Sequence, residues 1–193
     1  MADITFITVG SLKEGYLKEA VSEYKKRLIQ YARVDEVELK EERINDEDNA
    51  REVQVALDKE AEKILAAVPK GAHIIALCVE GKELDSPSLA RHIGDAVNAT
   101  GKIAFIIGSS HGLSPRVKSA AHFKLSFSRL TFPHQLMRVN LYEAVYRSFT
   151  ILAGKKYHKS QSSIQGEKEK KPPKRWLFVM FGLHFCAKTD LCD

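Results

Sequence analysis

The chain opens on Ile4-Thr5-Phe6-Ile7-Thr8-Val9, an apolar, β-branched run closed by Gly10, after which Leu12, Tyr16, Ala20, Tyr24 and Leu28 recur at helical spacing. The pattern predicts a strand followed by a helix. Val34 to Leu39 alternates apolar and charged positions, and the acidic stretch EERINDEDN leads into a helix carrying Val53, Leu57, Ala61, Ile64 and Leu65, closed by Gly71. His73 to Val79 is a near-continuous apolar run, as a strand covered on both faces requires, and Ser86-Pro87 opens another helix through Leu89, Ile93 and Val97. Ile103 to Ile107 is a further buried strand, followed by Gly108-Ser109-Ser110-His111-Gly112 and a short helix from Ser114-Pro115. Phe123 to Phe127 precedes a long helix that starts near Pro133, with Met137, Leu141, Ala144, Val145, Phe149 and Leu152 on one stripe. Strands alternate with helices throughout, which predicts an α/β fold with a mainly parallel sheet, helices on both faces and ligands outside the carboxyl ends of the strands.

After His158 the pattern stops. KSQSSIQGEKEKKPPKR is polar and rich in Lys, Ser, Gln and Pro, and WLFVMFGLHFCAKTDLCD then turns apolar. Residues 1–158 therefore read as one domain and 159–193 as an atypical, poorly ordered C-terminal extension. Its apolar core is too short for the roughly 20 residues that span a bilayer, and no basic leader or apolar signal opens the chain, so a protein of the cytoplasm with no membrane attachment is expected.

At 193 residues, with 44% apolar and 28% charged positions, the chain can bury a full core without disulfides or metal. Cys78, Cys186 and Cys192 have no metal-type spacing and the seven histidines are scattered, so no metal is expected. Charge is unevenly divided along the chain: residues 1–70 hold 12 Lys and Arg against 16 Asp and Glu. From Ala96 to His158 nine basic residues accompany one carboxylate, Glu143, which is +8 in 63 residues. Such a segment suits a polyanionic partner, and equally a solvated basic face.

Three motifs bear on chemistry. IIGSSHGLS follows a buried strand with Gly108 and Gly112, which permit close backbone approaches; it is neither a phosphate-binding loop with Gly-Lys-Ser/Thr nor a GxGxxG turn, and a bland strand-to-helix turn would use the same glycines. Leu130 to Arg138 is a strand-to-helix junction with a hydroxyl, Thr131, and backbone N–H groups near a helix start. On the long helix Asn140, Glu143 and Arg147 project together from the face opposite the stripe, either as a surface ion pair or as reactive groups.

Taken together, LCVEGK, FIIGSSHGLSP, LSFSRLTFPHQLMRVNLYEAVYRS and GKKYHK resemble the SPOUT-superfamily methyltransferases that act on N3 of a pseudouridine in large-subunit ribosomal RNA. The similarity covers residues 3–159 and is close from Leu77 onward. It implies a trefoil-knotted α/β fold, a homodimer with composite active sites, S-adenosylmethionine as methyl donor, and large-subunit rRNA, in an assembled ribosome, as partner. By position the donor contacts fall on Leu77, Gly108, Phe127, Ser128, Arg129, Leu130, Thr131 and Phe132, mostly through backbone. Arg138, Glu143, Arg147, Tyr157 and His158 match the active-site neighbourhood. Abstracting an imide proton calls for a base and a cation, which assigns His158 as base, with Glu143 the competing choice, Arg147 as the oxyanion's partner, Glu143 orienting it and Tyr157 supporting the base. A non-catalytic RNA-binding protein of the same fold is the alternative, and would have no use for the glycine loop. The 35 residues beyond His158 depart from the family pattern, which ends near the Tyr-His pair.

Overall fold

A computed structural model describes residues 1–155. Five strands, β1 (Ala2–Val9), β2 (Ala32–Leu39), β3 (His73–Glu83), β4 (Lys102–Ile107) and β5 (Phe123–Ser126), alternate with five helices. The helices are α1 (Gly15–Leu28), α2 (Ala50–Ala67), α3 (Ser86–Thr100), α4 (Pro115–Ala120) and α5 (His134–Leu152). All strand pairs are parallel, in the order β2-β1-β4-β3-β5.

Strand alternation divides the core in two. Ile4 and Phe6 of β1 and Ile103, Phe105 and Ile107 of β4 face α1, α3 and α5; Ile7, Val9, Ala104 and Ile106 face α2 and α4. Phe6 stacks on Phe105 at 5.4 Å between ring centroids and on Tyr142 of α5 at 3.9 Å, which pins α5 over the middle of the sheet. The helices begin where side chains can take their free N–H groups: Asp85 accepts from Ser88 N at 2.8 Å before α3, Asn49 from Arg51 and Glu52 before α2, and Ser114 from Arg116 before α4.

The sheet, its parallel sense and all ten elements follow the sequence pattern, with three differences. In α1 the buried positions are Leu17, Val21 and Leu28, while Tyr16 is exposed, so the core-facing stripe is rotated from the one expected. Strand β3 continues four residues past Val79, because after an irregularity beyond Leu77 it pairs again, Lys82 with Leu125 and Glu83 with Ser126. Gly81 permits this: a Cβ there would lie 2.6 Å from the Leu125 backbone carbon. Helix α5 is enclosed more completely than one stripe predicts, with Arg138, Tyr142, Ser148 and Thr150 buried besides Leu141, Val145 and Phe149. No helix among the described residues is long and apolar enough to cross a membrane.

Candidate functional site

The strand ends and the segments that follow them build one substantial cleft, of about 450 Å³, in the range of small-molecule sites. Most of its lining comes from three stretches, Leu77–Glu80 of β3, Ile107–Leu113 from the end of β4, and residues between Leu125 and Met137 on the way from β5 into α5, with Lys118 of α4 added. The cleft therefore sits where the sheet's topology places ligands. Leu77, Ile107, Leu125 and Phe127 give it an apolar lining, and Ser126, Ser128 and Thr131 supply hydroxyls.

Each lining segment has a local cause. Gly108 is required by a backbone approach: a Cβ there would stand 2.0 Å from the Gly112 carbonyl oxygen, since the loop folds on itself through a Ser109–Gly112 bridge. The turn after β5 is held by Ser128, whose carbonyl accepts from the Ser126 hydroxyl at 3.1 Å and whose hydroxyl accepts from Leu130 N at 3.0 Å. At the rim Lys118 pairs with Glu80 at 2.5 Å, and this hydrogen bond holds the Glu80 carboxyl below its usual range. Burial, and then Glu80, push the Cys78 thiol up.

Of the donor-contact candidates, Leu77, Gly108, Phe127, Ser128, Leu130, Thr131 and Phe132 all line the cleft. Arg129 does not; its side chain is 95% exposed, 4.0 Å from Glu83. The second group of candidates lies elsewhere. Arg147 donates through Nε and Nη2 to Glu143 Oε1, at 3.0 and 2.5 Å, in a half-buried pair. Glu143 is six residues beyond the cleft-lining Met137, about 9 Å farther along α5 at the helical rise, and neither Glu143 nor Arg147 lines the cleft of this chain. Asn140 is also half-buried, its amide 3.8 Å from Met137 Sδ, so the face expected to be solvated is largely covered.

Arg138 is the clearest departure from expectation. It is 4% exposed and bonds Glu36 and Glu38 of β2, its Nε reaching Glu36 Oε1 at 3.0 Å. Burial works against its charge, but the two carboxylates outweigh this and raise its pKa. The guanidinium is thus committed to fastening α5 to β2. Tyr157 and His158 lie outside the described residues, as does the expected boundary with the extension.

The sequence did not single out Cys78, Glu80 or Lys118 in the cleft, nor Glu60 behind it. Glu60 of α2 is 3% exposed, accepts the Glu42 N–H at 2.9 Å and the Ser109 hydroxyl at 3.0 Å, and has its pKa raised by burial. One signal was available, since Ala56, Glu60 and Ile64 recur every four residues and so put a carboxylate on a buried face. Among the described residues no group of three or more His, Cys, Asp and Glu is arranged to hold a metal ion.

The model of the family described as "Predicted SPOUT methyltransferase" matches residues 2–158. The chain belongs to that family. It is similar to the ribosomal RNA large subunit methyltransferase H of Caldicellulosiruptor saccharolyticus, with 46% identity over 156 residues, 81% of this chain and 99% of the relative. The protein of the same name from Bacillus pumilus is 48% identical over 158 residues, again 81% of this chain and 99% of the relative. Among solved structures, the SpoU methyltransferase AviRb of Streptomyces viridochromogenes, crystallised with AdoMet, has 10% identity and a TM-score of 0.42, covering 80% of this chain and 60% of its own.

Proposed function

We propose that this SPOUT methyltransferase transfers a methyl group from S-adenosylmethionine to N3 of a pseudouridine in large-subunit ribosomal RNA. The observation that carries the proposal is the match over 99% of relatives named ribosomal RNA large subunit methyltransferase H, which spans every cleft-lining segment.

The cleft fits the donor: its size is appropriate, its apolar lining suits an adenosine, and Thr131 and several serines contribute polar groups to its lining. Leu77, Gly108 and Phe127–Phe132 would hold it, Arg129 through its backbone, its side chain being turned to solvent. When bound, S-adenosylmethionine supplies an electrophilic sulfonium methyl.

The chain's own residues must then make N3 nucleophilic. Its lone pair is delocalised into two carbonyls, so the proton must leave and the charge on the flanking oxygens must be balanced. His158 takes the proton, its ordinary pKa of about 6.5 being suited to the task. Arg147 balances the oxyanion, and Glu143 fixes its guanidinium through the paired bonds from Nε and Nη2. That engagement of Glu143 favours an orienting role over that of base. Tyr157 supports His158, and Arg138 serves by anchoring α5.

The enzyme acts as a homodimer with shared sites. Two observations support this: Glu143 and Arg147 do not line their own chain's cleft, and Leu130, Phe132 and Leu136 stand 70%, 40% and 40% exposed at or beside it. The assembled ribosome in the cytoplasm is the substrate under this proposal. The test of the base is kinetic: His158→Ala should lower kcat by about 10²–10⁴-fold with donor affinity kept, the range of a lost general base. Near-normal turnover in that variant, with Glu143→Gln inactive, would transfer the role to Glu143.

A further inference from the structure

The Gly108–Ser114 loop has three hydroxyls, and each is bonded to a carboxylate behind the cleft. Ser109 Oγ donates to Glu60 Oε2 at 3.0 Å, Ser110 Oγ to Glu41 Oε1 at 3.1 Å and Ser114 Oγ to Asp58 Oδ1 at 2.8 Å. Asp58 and Glu60 belong to α2, and Glu41 to the connection entering it. Ser109 and Ser114 are 6% and 1% exposed, so the two α2 contacts grip the loop at its buried ends. Glu60 is the hinge point of the arrangement, since its other oxygen takes the Glu42 N–H at 2.9 Å and so ties the β2–α2 connection to the same carboxylate.

We infer that Glu60 is a positioning residue, which by holding the Ser109 hydroxyl sets the backbone of the Gly108–Leu113 loop in its ligand-binding shape. The inference rests on the proposal that the cleft binds S-adenosylmethionine. Its physical content is a division of labour: the serine hydroxyls are used on protein carboxylates, and the loop meets the ligand with its backbone. Burying a carboxylate is costly unless its oxygens are hydrogen-bonded, and both Glu60 oxygens are. Asp58, held below its ordinary pKa by the Ser114 hydroxyl and then by Gln54, supplies the second grip. With Gly108 packed on the Gly112 carbonyl, displacement at Ser109 must be passed on to the turn.

The test is a double-mutant cycle with Glu60→Met, which can form neither bond, Ser109→Ala and both together, read by calorimetric titration with S-adenosylmethionine and by hydrogen exchange of the full-length protein. Each single variant is expected to weaken binding about fivefold, the size of one hydrogen bond, and the double variant to lose no more than the worse single. Amides 109–112 should exchange faster in both, with β1 and β4 protection retained. Additive losses would overturn the inference, because Ser109 would then be contacting the ligand itself. Unchanged loop exchange in both variants would overturn it too. If Glu60→Met fails to fold, Ser109→Ala alone decides through loop exchange. If the wild-type protein does not bind S-adenosylmethionine, the donor proposal falls and exchange alone decides the brace.

Discussion

Arg138 is held at 4% exposure by two carboxylates from a strand about 100 residues earlier in the chain, a placement that separates its stability role from the chemistry. Removing one partner of a buried ion pair strands the others, so Arg138→Met should destabilise the fold by about 3 kcal/mol, the lower end of the usual range because Glu38 is half-exposed. Urea unfolding measures this, and methyl transfer per folded molecule should remain near the wild-type rate. Unchanged stability with lost transfer would return Arg138 to the active site. Sequence could show a cation here but not its partners, because contacts over such a separation are set by the sheet. Glu60 was not singled out, although its spacing from Ala56 and Ile64 puts a carboxylate on a buried helical face; its bond to Ser109 left no such signal. Gly108 was recognised for the freedom that glycine allows; the structure gives a narrower reason, the close Gly112 carbonyl.

At the scale of elements, the end of the sheet away from the cleft carries a histidine cluster joining β3, α3 and the start of β5. The His73 ring lies 5.4 Å from His92 and 4.9 Å from His122, and His92 packs on Phe123 at 4.1 Å. Burial, reinforced by the neighbouring histidines, lowers the pKa of His73; burial also lowers that of His92, against the pull of Asp95. A histidine whose folded pKa is depressed binds fewer protons folded than unfolded. Stability is therefore full above the ordinary value of 6.5 and is lost as pH falls below it. Urea midpoints between pH 7 and pH 5 should fall in the wild-type protein and fall less in His92→Phe; equal slopes would contradict this. The central strands were legible because β1 and β4 are buried on both faces and so read as nearly unbroken apolar runs. The extension of β3 was not, since it depends on re-pairing with β5 after Leu77, and no local pattern in VEGKE announces that.

For the whole molecule, the basic character of residues 96–158 looks different once folded. Arg116, Lys118, Arg129, Arg138 and Arg147 are paired with Glu62, Glu80, Glu83, Glu36 and Glu38, and Glu143, so much of the linear asymmetry is neutralised within the protein. Net charge along the sequence was thus a weaker guide to RNA than the order of the motifs around the strand ends. The cleft proposed for the donor was legible because its lining segments follow consecutive strands of one sheet. The residues proposed for catalysis were legible only as residue types: Glu143 and Arg147 sit away from the cleft of their own chain, and Tyr157 and His158 lie beyond the described residues. Both halves meet in a single measurement. Ribosomes lacking the modification are incubated with the full-length protein and methyl-labelled S-adenosylmethionine, and the labelled nucleoside is identified by mass. The account predicts label in N3-methylpseudouridine of large-subunit rRNA; no label, or label confined to another nucleoside, would contradict it.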